Sequence, residues 1–477
     1  MIYNLTAYLE NAARTRPDKI AFLDERESVT FAQLRRRALS AGAYIGNAVG
    51  GTRRPVAVLT RHTVADVIAF YGALYAGCFY VPIDAVAPQE HVDNAIETAQ
   101  AALVIDPLAF DPPDVAVEPS ELGGATLNES DPAYAIFTSG STGKPKAAVI
   151  SHRSVINLTE WLCDTFSFDE HTIFGNQTPF YFDASVAEVF CTTRARTTTH
   201  ILSRKLFFNP LKLLRYLDEH EINTIKWASA AVKLVANSGV FKKYTPQHLK
   251  TVLFGGENMT GKHLNIWRNA LPNVRYANVY GPTEATVDCA YYVVEREFGD
   301  DESIPIGFPV RNVELLILDG QLAVRGAGVG LGYLGDVERT AAVFVQNPHN
   351  PSYRDVIYLT GDLVRRNEYG ELVYIGRADT QIKHMGTRVE LGEIETVAMA
   401  LNGIELACCG YDGARDRILL FYQGDAAVGV VAEALGNRLP RYMCPNDVFP
   451  MATLPQLPNG KIDRTRIMKD YHAQNNK

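Results

Sequence analysis

Ala133-Tyr134-Ala135-Ile136-Phe137-Thr138-Ser139-Gly140-Ser141-Thr142-Gly143-Lys144-Pro145-Lys146 is the densest signal in the chain. Residues 133–138 form an apolar run of strand length. Behind it, Ser139, Ser141 and Thr142 stand among Gly140, Gly143, Lys144 and Lys146. Glycines let backbone N–H groups close around an anion, hydroxyls add donors and lysine adds charge, so the loop suits a polyphosphate. It does not spell the P-loop, and Pro145 blocks the immediate helix that such a loop uses. A polar surface loop is the plain alternative.

On both sides of this stretch, strand-like runs alternate with helical ones. Residues 55–60, 102–106, 223–227, 251–254 and 274–279 read as strands, and 64–77, 229–237 and 260–271 as helices. This alternation predicts an α/β fold with mainly parallel sheets, whose ligands sit beyond the strands' carboxyl ends. From about residue 310 the pattern changes to short strands at 312–318, 321–325 and 371–375, a small β-subdomain. Gly376-Arg377-Ala378-Asp379 then marks a break, placing a large domain at 1–378 and a small α+β domain at 379–477. A helix from Glu390 to about Asn402 opens the latter.

The composition is that of an ordinary globular chain: 477 residues, 47% hydrophobic and 21% charged, with 46 basic against 54 acidic residues. A net charge of −8 without a basic block argues against nucleic-acid binding and against docking on anionic lipid. Seven cysteines, Cys408 and Cys409 adjacent and none in a Cys-x-x-Cys, suit reduced thiols in a cytoplasmic protein. The start of the chain lacks the apolar core of a signal peptide. The uncharged run 67–83 falls short of the roughly 20 apolar residues a membrane span needs, and reads as a buried helix entering a strand.

Other segments bear on chemistry. Gly256-Glu257-Asn258-Met259-Thr260-Gly261-Lys262-His263 nearly spells a P-loop, but His263 replaces the required hydroxyl and Glu257 would repel phosphate. In Asn278-Val279-Tyr280-Gly281-Pro282-Thr283-Glu284, a tyrosine face can stack on a purine, an amide can read its edge and a carboxylate can hold Mg²⁺. In Tyr358-Leu359-Thr360-Gly361-Asp362, the aspartate either binds a ribose diol or closes an Asx-turn.

Taken in order, these blocks resemble the adenylate-forming enzymes, which include adenylation domains of non-ribosomal peptide synthetases, acyl-CoA synthetases and luciferase-like proteins. The likeness runs from about Leu5 to Arg464 and adds residues 376–395 and 457–464, the latter containing Pro458-Asn459-Gly460-Lys461-Ile462-Asp463-Arg464. It is similar above all to amino-acid-activating members, in particular the stand-alone ligases that charge D-alanine onto a carrier protein. The chain ends soon after this block, which implies a free-standing ligase whose phosphopantetheine carrier is a separate protein.

The resemblance implies ATP and Mg²⁺ as cofactors, with Thr138, Ser139, Gly140, Ser141, Thr142, Gly143 and Lys144 at the ATP phosphates and Glu284 at the metal. It implies Asn278 and Tyr280 at adenine, Asp362 at the ribose with Arg377 nearby, Lys461 as the catalytic lysine and Asp379 as a hinge. Asp183 would pair with the substrate ammonium, the alternative being that it caps the helix that follows. The side-chain pocket would be lined by Ala184, Ala187, Lys226, Leu253, Gly255, Val279, Val287 and Asp288, the small residues leaving room. Lys226 either pairs with Asp288, which leaves space for alanine or serine, or meets a substrate carboxylate or amide; the leaning is to Asp, Asn, Glu or Gln. The D-alanine ligases typically carry cysteine where Gly255 stands. An acid:CoA ligase for a small carboxylic acid is the alternative enzyme.

Overall fold

The computed structural model describes residues 3–138, 146–377, 381–456 and 462–475. Ser139, Gly140, Ser141, Thr142, Gly143, Lys144, Asp379 and Lys461 therefore lie outside the described residues. The chain divides into two compact units, one built from Met1–Ala85, Ile96–Phe137 and Ala147–Ala378 and the other chiefly from Asp379–Lys477.

In the first unit the predicted strands form at 55–60, 224–228, 251–255 and 275–280, within a residue or two of expectation. The apolar run 67–83 resolves into the helix Val64–Tyr75 and the strand Phe79–Asp84. No helix among the described residues is long and apolar enough to cross a membrane. No disulfide joins any of the seven cysteines, and six are buried.

A nine-stranded sheet carries the site. At its centre β1 (Thr224–Ala228), β2 (Thr251–Gly255) and β3 (Arg275–Tyr280) run parallel. Their register aligns Lys226 with Leu253 and Leu253 with Ala277, then Ala228 with Gly255 and Gly255 with Val279. Successive strand residues point to opposite faces, and both faces are covered. Ile225, Trp227, Val252 and Phe254 enter one core, with Leu213 and Trp267 from the helices Pro210–Glu219 and Gly261–Ala270. Leu253, Ala277 and Val279 enter the other, with Val186 and Phe190 from α1 (Ala184–Ala195). This settles the strand's facing at Lys226: Trp227 points away, its indole N–H donating to the Gly175 carbonyl at 2.7 Å.

A six-stranded sheet includes Pro132–Thr138, and a five-stranded one holds the 313–377 strands. The hairpin Val313–Leu318/Gln321–Gly326 closes on Asp319-Gly320, with φ of 49° and 83°. Positive φ at both central residues is the two-residue turn that suits a twisted hairpin, so the short connection is intrinsic to the sequence.

The second unit packs the hairpin Gln381–His384/Thr387–Glu390 and a three-stranded sheet with the helix Leu391–Met399 around Val389, Ile394, Leu420 and Leu435. Its closing segment is held by a Gln456–Ile462 bridge. Arg464 Nε donates to the Cys409 carbonyl at 2.8 Å, and its guanidinium pairs with Glu395.

Candidate active site

Three groups of polar side chains collect at the carboxyl ends of β1, β2 and β3. The first centres on Asp362, which is buried in the strand Val356–Arg366. Tyr280 OH donates to Asp362 Oδ2, while Arg377 Nη1 donates to Asp362 Oδ1 at 2.7 Å and to the Thr360 carbonyl at 3.1 Å. These long-range partners replace the Asx-turn reading. Burial and the neighbouring Asp362 push the Tyr280 phenol well above its ordinary pKa, so it stays a donor. Beside it, Asn278 spends its Nδ2 on the carbonyls of Ile304 at 3.3 Å and Pro305 at 2.8 Å. That fixes the amide and leaves Oδ1 as its remaining acceptor.

The second group is Glu284, fully buried in the short turn Thr283–Ala285. Tyr333 OH donates to its Oε1 at 2.6 Å, and its carbonyl accepts from Gly330 N–H at 2.9 Å. Sequence reading missed Tyr333, which lies 49 residues away. A single oriented carboxylate fits Mg²⁺, which keeps few protein ligands and completes its shell with water and phosphate oxygens.

The third group contains Asp183, Lys226 and Asp288. Asp183 precedes α1 with φ −61° and ψ −31°, and its side chain makes no capping hydrogen bond. The helix-cap reading is thereby replaced, and the Thr283 side chain lies near enough to favour the charged carboxylate. Asp183 retains some exposure, yet burial leads the causes that raise its pKa. Thr283 and Lys226 oppose that rise, while Asp288 and Glu284 add to it. This is a carboxylate enclosed by protein and still reachable.

Lys226 Nζ lies 3.3 Å from Asp288 Oδ2, and both residues are 5% exposed. The oxygen has no hydrogen bond of proper geometry, so the pair is a loose one. Burial raises the Asp288 pKa and Lys226 opposes the rise. Thr286 and Val287, just before Asp288, both adopt left-handed backbone, with φ of 59° and 67°. That conformation is a genuine outlier for β-branched residues and is held here by Thr286 Oγ1 donating to the Gly328 carbonyl at 2.6 Å.

The remaining pocket positions sort by accessibility. Ala184 is half-buried, whereas Ala187, Val279 and Val287 are buried and Leu253 is wholly enclosed in the core. Gly255 corrects an expectation. A Cβ there would lie 2.3 Å from the Val279 carbonyl oxygen, so glycine is needed for strand contact and opens no extra room. The near-P-loop 256–263 is a strand-to-helix connection in which Glu257 pairs with Lys233 at 3.5 Å. Thr138 ends its strand buried, its Oγ1 donating to the Lys146 carbonyl at 3.5 Å.

Fold and side-chain arrangement together define an α/β protein with buried carboxylates gathered at one end of its central parallel strands. A family profile described as "AMP-binding enzyme" matches residues 9–334, more than half of the chain. The chain belongs to the AMP-binding enzyme family. It is 31% identical over 96% of its length to tyrocidine synthase 3 of Brevibacillus parabrevis, of which it covers 8%. It is 30% identical over 96% of its length to bacitracin synthase 1 of Bacillus licheniformis, of which it covers 9%. The chain thus spans under a tenth of either relative. Among solved structures, its fold matches the Vibrio cholerae adenylation domain AlmE in complex with glycyl-adenosine-5'-phosphate. That match has TM-score 0.85 and 19% identity, covering 99% of this chain and 98% of the other. A second match is an NRPS protein containing adenylation and PCP domains, with TM-score 0.83 and 23% identity, covering 98% and 84%.

Proposed function

We propose that this protein activates an amino acid as its aminoacyl-adenylate and passes it to the phosphopantetheine thiol of a carrier protein. The observation that carries the reading is Asp183: a reachable carboxylate, enclosed by protein, that does not cap its helix and lies next to Thr283 and Glu284. Without a cation from outside, such a group has only the distant help of Lys226, and a buried unpaired carboxylate is costly. A substrate ammonium supplies that cation. Fatty or aryl acids do not.

In the first half-reaction an oxygen of the substrate carboxylate attacks the α-phosphorus of ATP, and the bond to pyrophosphate breaks. Two anions must meet, so charge and oriented donors dominate. Thr138 and residues 139–144 would hold the phosphates and Lys461 would bridge the carboxylate and the α-phosphate. Asn278 and Tyr280 would flank adenine, and Asp362, oriented by Arg377, would accept from the ribose hydroxyls. Mg²⁺ at Glu284 would neutralise phosphate charge when bound, with Tyr333 keeping that carboxylate oriented. In the second half-reaction a thiol sulfur attacks the acyl carbonyl, AMP leaves and a thioester forms. Rotation of domain 379–477 about Asp379 would exchange the groups facing the substrate.

Amino-acid-dependent pyrophosphate–ATP exchange, run with both enantiomers of the proteinogenic set and common β-amino acids, tests the reading. Exchange that Lys461→Ala abolishes while ATP still binds is the expected result. Asp183→Ala should lose exchange with every amino acid. Retained thioester formation with a small carboxylic acid would favour an acid:CoA ligase instead.

A further inference from the structure

Behind the Lys226–Asp288 pair, on the buried side of α1, lies a group that the sequence did not single out. Glu188 is 1% exposed, and its Oε2 accepts a hydrogen bond from Asn176 Nδ2. Asn176 Oδ1 in turn lies 2.6 Å from His62 Nε2. The direction of this chain is fixed by its middle member: Asn176 gives its amide hydrogen to Glu188 and so takes one from a neutral His62. Burial lowers the His62 pKa to about 4, in agreement. Glu188 Oε1 has no hydrogen-bond partner, and no cation among the described residues lies within ion-pair distance of it. A carboxylate so placed is far less costly as the acid. Burial raises its pKa to about 8 against the pull of Asn176 and Lys226.

Among the described residues, most other titratable groups near Lys226 are neutral or already matched. Burial keeps the Tyr134 phenol and the Cys191 thiol protonated. Lys226 and Asp288 cancel each other. Among the described groups that bear on Lys226, Asp183 keeps a charge for the substrate ammonium to cancel, with Glu284 on its far side adding to that negative charge.

We propose that the pocket admits an uncharged amino-acid side chain, with Asp288 and Glu188 as the specificity-determining residues that keep Lys226 from acting as an anion receptor. This rests on the amino-acid reading above. Asp288 neutralises the lysine directly. Glu188, held as the acid, does not compete for it. A substrate carboxylate would have to displace Asp288 and leave that charge buried, while a cationic side chain would have to draw the proton off Glu188. Side chains bearing a hydroxyl or carboxamide, or none with polarity, meet neither cost. The acidic half of the expectation from Lys226 alone is thereby removed.

The test begins with the wild-type exchange panel, which needs no variant to fold. Exchange is expected to be strongest with uncharged side chains, roughly tenfold or more above Asp, Glu, Lys and Arg. Asp288→Asn should then free Lys226 and move the acidic-to-uncharged ratio toward Asp or Glu by roughly tenfold or more. ATP-dependent thermal stabilisation is measured alongside to show that the variant is folded. Preference of the wild type for a charged side chain would overturn the proposal. So would a folded Asp288→Asn protein with an unchanged ratio. Silence with every amino acid while ATP binds would overturn the parent reading, and this one with it, by a recognisably different result.

Discussion

Two buried ion pairs in the same unit are held in opposite ways. Arg377 and Asp362 meet at 2.7 Å, and Tyr280 and the Thr360 carbonyl complete the hydrogen bonding. Lys226 and Asp288 meet at 3.3 Å, without a proper hydrogen bond, beside a strained Thr286-Val287 turn. The first has the form of a preset anchor for an invariant part of a ligand. The second has the form of a charge compensator, set in the proposed pocket beside the variable part of the substrate. A fully satisfied buried pair resists rearrangement, whereas a loose one contributes little beyond charge balance.

The comparison breaks if the two pairs respond alike. Asp362→Ala should have the largest effect, about 3–5 kcal/mol of stability in urea unfolding, because it leaves Arg377 buried without its partner. Nucleotide-dependent stabilisation should vanish with it. Lys226→Met should cost less, about 1–3 kcal/mol, since the abandoned Asp288 can take up a proton. Equal losses would show the loose geometry to be irrelevant.

Glu188→Gln sharpens the point through pH. The folded state holds a proton on Glu188 to about pH 8, whereas the ordinary value is 4.5. Its contribution to stability is therefore full below pH 4.5 and is lost as pH rises toward 8. Glutamine stays neutral throughout, so the variant's advantage over wild type should grow by up to about 1.4 kcal/mol per pH unit across that window. Urea midpoints at about pH 5 and about pH 7.5 check it, and a pH-independent difference would mean that Glu188 is ionised. The smallest effect belongs to the double change Lys226→Met with Asp288→Leu. Removing both charges should leave stability within about 1 kcal/mol of wild type.

Much of the fold was legible because strand and helix runs here are apolar and sharply bounded, as at 55–60 and 229–237. The facing of Lys226 rather than Trp227 also followed from strand alternation once the register was known. What stayed hidden depends on contacts between distant residues. His62 reaches Asn176 across 114 positions, and Asp183 makes no hydrogen bond to its own helix. One signal was available and unused: Glu188 interrupts the otherwise small and apolar run Ala184-Ser185-Val186-Ala187-Glu188-Val189-Phe190. A charge at such a position implies a buried partner. The strain at Val287 had no signature, since nothing in a Thr-Val pair announces positive φ.

Gly255 has a consequence for anyone redesigning this protein. Its missing side chain is filled by the neighbouring strand's carbonyl oxygen, 2.3 Å from where a Cβ would stand. At this point of the proposed pocket the wall is therefore backbone, and a side chain cannot be added without parting two strands. If the proposed pocket holds, a library meant to retune selectivity should leave that position fixed and draw its diversity from Ala184, Ala187, Lys226 and Asp288.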